Sequence, residues 1–298
     1  MKLTAILVMV MATTAFAQTQ PESNPAPPAA QNQPAQQPGA TQPAAPAGKR
    51  PLQAKTQPEY EAYNAAHAQI NDSAAMEKAA SDFATKFPDS ELRVLLYRDA
   101  MHAYQRDNNG DKMMEMGRQV LKLDPDDPEA MVGVAEVLTE RTKDTDLDKD
   151  QKLAEATKLA QHALETIDTG ISIPSGASPE QVDAYKRFLR SSAYAIVGTM
   201  QYNKDNFKDA EDSFRKSIDA FPTQPDPVVV LRLALALDKQ GKYPEALKEV
   251  NRAVELTAND ASSSVGTYAR QERDRLVQLT GGTPAPKPAT GQAAPPKN

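Results

Sequence analysis

The chain has 298 residues, with 34 Lys and Arg against 40 Asp and Glu, a pI near 5.3 and no cysteine. The acidic balance excludes a basic footprint for nucleic acid or anionic lipid. The missing thiol excludes disulfides, thiolate metal sites, thiol catalysis and the lipid-carrying cysteine of a bacterial lipoprotein.

In chain order, Met1 and Lys2 give a small positive start, and Leu3 to Phe16 is a largely apolar run ending in Ala15-Phe16-Ala17. The run is short for a spanning helix, and the small-x-small ending is that of a signal-peptidase site. Residues 1–17 are therefore expected to be a signal peptide cleaved after Ala17, which predicts a periplasmic or secreted protein of bacterial type with no membrane span after cleavage. Residues 18–56 are Gln, Pro, Ala and Thr with almost no large apolar side chain. Pro25, Pro27, Pro28, Pro34, Pro38, Pro43 and Pro46 forbid a helix, and the composition predicts a disordered linker. The tail at 281–298 has the same make-up and the same expectation.

Between these ends, residues 57–280 read as helices in a repeating register. The clearest statement is a pattern written twice: Phe207, Ala210, Phe214, Ser217 and Ile218 are echoed by Tyr243, Ala246, Val250, Ala253 and Val254, 36 residues later. A fixed period in this range signals stacked helical hairpins. Carried backward, the register places Phe83, Val120, Ala163, Ser217 and Ala253 at one repeat position, at spacings of 37, 43, 54 and 36 residues. A second position, where two helices pack closest, reads Met76, Met113, Ala156, Ala210 and Ala246. Pro88, Pro125 and Pro222 end second helices in three units. Asp127-Pro128, Ser178-Pro179 and Asp226-Pro227 are helix starts, a capping side chain followed by proline. Ser178 and Gln181 have capping-box spacing. Residues 261–280 supply a cap for the last unit, with Val265, Tyr268, Ala269, Leu276 and Val277 on its packing side and Gly281-Gly282 at its end.

These residues resemble the tetratricopeptide repeat (TPR) family, whose unit of about 34 residues is a helix pair with small residues at fixed positions and a terminal proline. The match is best in the fourth unit, through Gly198, Phe207, Ala210, Phe214 and Pro222, and in the fifth, through Ala234, Gly241, Tyr243, Ala246, Ala253 and Val254. The family's tryptophan is absent: Tyr60, Tyr97, Met131, Tyr194 and Val230 stand in its place. The resemblance implies an all-α fold, a right-handed α-solenoid of about five TPR-like helix pairs plus a C-terminal capping helix, flanked by disordered Pro/Ala-rich tails.

Two insertions depart from the pattern. The third unit is lengthened within Glu140 to Gln151, where Asp144, Asp146, Asp148 and Glu155 have the spacing of a calcium loop. Lys149 occupies the position where glycine makes that loop's sharp turn, so a solvated acidic turn is the expectation and no metal site is assigned. The second insertion, between the third and fourth units, is a loop at Thr169 to Ala177 followed by a first helix extended back to Pro179.

No catalytic motif accompanies the repeats. His67, His102 and His162 have no zinc-binding spacing, and no phosphate loop, dinucleotide fingerprint or nucleophile elbow is present. His67 is expected in the core and His162 on an outer helix face. No enzyme activity and no cofactor is expected. In the family, first-helix positions line a concave groove that holds peptides. The resemblance carries that groove onto Arg98, His102, Gln105 and Arg106 in the second unit, Val132, Glu136 and Thr139 in the third, Thr199, Tyr202 and Asn203 in the fourth, and Leu231, Leu235, Asp238 and Lys239 in the fifth, with Tyr202 and Leu235 as anchors. Glu61 and Ala65 stand where chaperone-binding members carry a carboxylate clamp, so that clamp is not expected. The functional expectation is a non-catalytic scaffold of the cell envelope that binds a protein or peptide partner. The alternatives are a cell-wall or polysaccharide-associated structural protein and an accessory subunit of an envelope enzyme.

Overall fold

The computed structural model describes residues 49–143, 145–173, 176–260 and 262–281. The expected signal peptide, nearly all of the Pro-rich linker, the tail beyond 281 and Asp144 lie outside them. Among the described residues eleven helices follow one another: α1 Gln57–His67, α2 Ser73–Lys86, α3 Arg93–Arg106, α4 Gly110–Leu123, α5 Pro128–Arg141, α6 Lys149–Gly170, α7 Pro179–Asn203, α8 Phe207–Ala220, α9 Pro227–Lys239, α10 Tyr243–Leu256 and α11 Ser264–Leu279. Each packs on the next, which makes five hairpins and a terminal helix. The fold is the expected all-α solenoid.

Local chemistry sets the boundaries. Asp72, Asp127 and Asp226 each sit at an N-cap and accept a backbone N–H from the first turn, and Ser178 with Gln181 closes a reciprocal capping box before α7. Each such cap satisfies a donor that the helix cannot. Prolines 88, 125 and 222 lie just past the ends of α2, α4 and α8, where a missing N–H and a clash with the preceding turn stop the helix.

The turn inside units two, four and five is one device used three times. Asn108, Asp205 and Gly241 all take positive φ, at 58°, 60° and 73°. The next residue's N–H then reaches back to the first helix: Asn109 to the carbonyl of Tyr104, Asn206 to Gln201 and Lys242 to Leu237, at 2.9, 3.0 and 3.0 Å. This satisfies orphan carbonyls at the helix end and reverses the chain in few residues.

The core is serial. One apolar cluster joins α1–α4 to α5, a second joins α5, α6 and α7, and a third joins α8–α11. Every residue at the two repeat positions singled out above is buried: Met76, Met113, Ala156, Ala210 and Ala246 at one, Phe83, Val120, Ala163, Ser217 and Ala253 at the other. Small side chains there let two helices approach, and the next unit supplies the wall that a lone hairpin lacks. At the end of the array, α11 buries Ala269 and Leu276 as expected. Tyr268, expected on the packing side, is 65% exposed.

Residues 49–56, which composition assigns to the linker, lie against the array as an extended strap. Lys49 forms an isolated parallel bridge with Ser172, its N–H donates to the carbonyl of Ile171, and its Nζ lies 2.5 Å from Asp124. Arg50 makes a two-pronged contact with Glu91, at 2.9 and 2.6 Å, and Lys55 donates to the carbonyl of Asp89. Leu52 and Ala54 pack on the first apolar cluster. The strap therefore crosses the turns that follow α2, α4 and α6 before Thr56 caps α1.

Candidate functional site

First helices touch first helices: α1 meets α3, α5 meets α7, α7 meets both α5 and α9, and α9 meets α11. They form the inner face of the hairpin row, where the sequence-derived groove residues were placed.

At the α3–α5 end this face is closed by its own charges. Arg98 is buried and pairs with Asp127, and its Nε lies 3.6 Å from Glu129. His102 pairs with the same Glu129 through Nε2. Burial pulls the Glu129 carboxyl upward, but His102, Arg98 and the Tyr185 hydroxyl outweigh it and hold the group down at about 2. Tyr185 on α7 is pushed well above the usual phenol range, by burial first and then by Glu129. Asp127 does double duty, because it also caps α5 through the N–H of Ala130 at 2.8 Å. A cluster of ion pairs of this kind joins α3, α5 and α7 and leaves little charge for a ligand, although Arg98 Nε and Glu129 Oε1 are buried without a hydrogen-bond partner among the described residues. Gln105 is half-buried beside it, and exposed Arg106 spends a donor on the carbonyl of Ile70.

The α5–α7–α9 stretch differs. Glu136 has no ion pair or hydrogen bond among the described residues, and burial, then Glu140 and Asp226, push its carboxyl up to about 7. The nearby cation, Arg232, donates to the hydroxyl of Thr199 at 2.8 Å. Thr199 itself is buried and returns its proton to the carbonyl of Ala195. Val132 and Leu231 are buried in the packing, and the hydroxyl of Thr139 is bonded to the carbonyl of Ala135. Further along, Tyr202 is half-buried and meets Phe207 edge-on with ring centroids 5.3 Å apart. Leu235 is partly buried against the third cluster. Asp238 lies close enough to Tyr202 to help raise its hydroxyl pKa, after burial, and pairs with Arg275 of α11 at 2.6 Å. Asn203 and Lys239 are exposed.

The predicted residues thus divide. Arg98, His102, Val132, Thr199, Leu231 and Asp238 are consumed by packing or internal bonds. Gln105, Arg106, Glu136, Thr139, Tyr202, Asn203, Leu235 and Lys239 keep accessible surface. Asp127, named in the sequence only as a helix cap, shapes the face, as do Glu129, Tyr185, Arg232 and Arg275, none of which was placed on it. For Asp127 and Glu129 a signal existed, since two acids in the first turn of α5 stand opposite the basic residues of α3.

The other chemistry considered in the sequence resolves simply. In the acidic loop, Lys152 bridges Asp146 and Asp148 at 3.2 and 2.9 Å. No group of three or more potential metal ligands exists among the described residues. His67, expected in the core, is exposed and pairs with Asp99 at 2.8 Å. A ring at the end of α1 meets only one neighbouring unit, so one side stays in water. No helix among the described residues is long and apolar enough to cross a membrane.

A row of helix pairs with buried small residues at a fixed register defines a helical-repeat protein of the tetratricopeptide type. Solved structures agree: a tetratricopeptide repeat protein from Parabacteroides merdae is similar at a TM-score of 0.50 and 14% identity, covering 76% of this chain and 75% of that one. PilF of Pseudomonas aeruginosa (TM-score 0.49, 16% identity, 76% and 87% covered) and a thermophilic TPR protein from Thermus thermophilus (0.42, 14%, 74% and 100%) are also similar. No protein-family model and no curated protein matches the chain. At 14% identity the likeness to the Parabacteroides merdae structure shows the fold alone, and the fold is the tetratricopeptide repeat fold.

Proposed function

We propose that the protein is a non-catalytic interaction scaffold of the bacterial cell envelope, which holds a peptide or helix of another protein along the face of its first helices. The observation that carries this reading is the α7–α9 part of that face. There Tyr202 and Leu235 keep part of their apolar surface accessible, flanked by exposed Asn203 and Lys239. Partly exposed aromatic and aliphatic groups inside a polar rim are the anchors that peptide grooves use. Export rests on the signal-like residues 1–17, and N-terminal sequencing of the mature protein is expected to begin at Gln18.

The test uses the full mature chain as bait against envelope extract, in parallel with a Tyr202→Ala/Leu235→Ala double variant of unchanged helicity. The wild type is expected to retain a discrete partner that the variant loses. Equal recovery of the same proteins by both baits would overturn the assignment of the face.

A further inference from the structure

The chain has three histidines, in α1, α3 and α6, and none after residue 162. Each faces a carboxylate outside its own hairpin. His67 Nδ1 on α1 lies 2.8 Å from Asp99 on α3. His102 Nε2 on α3 pairs with Glu129 on α5. His162 Nε2 on α6 lies 2.8 Å from Asp126, in the turn between the second and third units. The other ring nitrogen of His162 lies 3.2 Å from Glu165 on its own helix. A neutral imidazole has one N–H and one lone pair. At His162 the lone pair would then face a carboxylate oxygen, so the imidazolium is the form that suits both neighbours.

The remaining groups around each ring favour the same state on balance. Tyr63 stacks on His67 with centroids 5.9 Å apart and carries no charge at neutral pH. Around His102, Asp99 supports the charged ring and Arg98 opposes it. Arg98 is itself neutralised by Asp127 and Glu129, and Glu129 also meets Tyr185. Around His162, Asp126 and Glu165 are both acids. For His67 and His162 the hydrogen-bonded carboxylate dominates and raises the pKa, while for His102 burial opposes and Glu129 outweighs it.

Lysine and arginine ties also join the first three units, as Lys112 to Glu77 at 2.8 Å and Arg118 to Glu155 at 2.9 Å, but beyond the third unit no histidine takes part. Lys242 reaches Glu211 at 2.7 Å, Arg215 reaches Glu245 at 3.3 Å and Arg275 reaches Asp238 at 2.6 Å. Lysine and arginine keep their charge far above neutrality.

We propose that the array is pH-responsive at one end only: three imidazolium–carboxylate bridges clasp the first three units, and raising the pH through the neutral range loosens those units while the fourth and fifth stay as they are. A histidine with a raised folded-state pKa contributes its full stability below the unfolded value of about 6.5 and loses it as pH climbs through the folded value. The loss therefore falls above the ordinary histidine value, as pH rises through the folded-state pKa of each ring. This stands whether or not the inner face binds a peptide.

The experiment is a histidine-resolved NMR titration of the mature protein, combined with amide-exchange protection corrected for intrinsic rates, between pH 6 and 8.5. Three ring signals are expected to titrate above the ordinary histidine value. Protection in α1–α6 is expected to fall severalfold relative to α8–α10 across that range. A His67→Gln/His102→Gln/His162→Gln variant is expected to lose that differential fall. Glu136 titrates on the acid side of the window and is still present in the variant, so the difference between the two proteins isolates the histidines. Should the triple variant lose helicity, His162→Gln alone, at a half-exposed site, is expected to remove part of the slope. Ring titrations at or below the ordinary value, a flat protection ratio in the wild type, or an unchanged slope in the variant that folds would each overturn the proposal.

Discussion

Gly198 and Phe214 are packed so closely that a Cβ on residue 198 would lie 2.7 Å from the Phe214 ring. Gly198 is on α7 and Phe214 on α8, and Phe214 is among the largest fully buried side chains. The fourth hairpin closes because one helix has no side chain where the other has a ring. Gly198→Ala is expected to overpack this contact and cost about 1–3 kcal/mol. Phe214→Ala is expected to cost about 3–5 kcal/mol by leaving a cavity. Thermal unfolding followed by helical circular dichroism checks both, and a neutral Gly198→Ala would show that α7 and α8 can separate freely.

The shared turn makes a prediction of opposite signs. Gly241 and Asp205 occupy the same left-handed position in the fifth and fourth units. Left-handed backbone costs an L-residue about 1–2 kcal/mol, less for Asp and Asn, and costs glycine nothing. Gly241→Ala is expected to destabilise by about 1 kcal/mol and Asp205→Gly to stabilise by a smaller amount. Melting temperatures of the two variants against wild type decide it, and shifts of the same sign would contradict the shared geometry.

Arg98 and Asp127 form a buried pair between the second and third units. Removing one partner strands the other charge away from water. Arg98→Leu is expected to cost about 3–5 kcal/mol. Arg50→Ala, which breaks the far more exposed pair with Glu91, is expected to cost far less. Denaturant midpoints of the two variants should rank them in that order.

Glu136 gives a pH dependence separate from the histidines. Its carboxyl is pushed up to about 7, against about 4.3 in an unfolded chain. Between those values the folded protein keeps a proton that the unfolded chain has released, so stability falls as pH rises through this window and levels off above it. Glu136→Gln is expected to remove the slope and to exceed wild type at pH 8 by an amount on the order of 3 kcal/mol. Melting temperatures at pH 5 and 8 for both proteins test it, and parallel curves would place Glu136 in ordinary solvent.

Much of the fold was legible because repetition averages away the ambiguity of single helices. The run of Met76, Met113, Ala156, Ala210 and Ala246 marks close packing five times over, and capping pairs such as Asp226-Pro227 mark where helices begin. Three things were not legible. The strap at 49–56 follows directly on Pro- and Gln-rich sequence and looks like linker, and its order comes from partners far along the chain, Glu91, Asp124 and Ile171. His67 has the spacing of a core residue, but the end of α1 has only one neighbouring unit to cover it. Among the groove residues, register places Arg98 and Gln105 on one side of α3. It does not say that Asp127 claims the first and leaves the second partly open.

The amino-acid order by itself determined the helices, their pairing and the face each turns inward, because those follow from spacing within a few dozen residues. Only the tertiary structure decided which polar groups on that face neutralise one another. Such pairing depends on how far one unit rotates against the next, a quantity summed over every side chain in the interface and written at no single position.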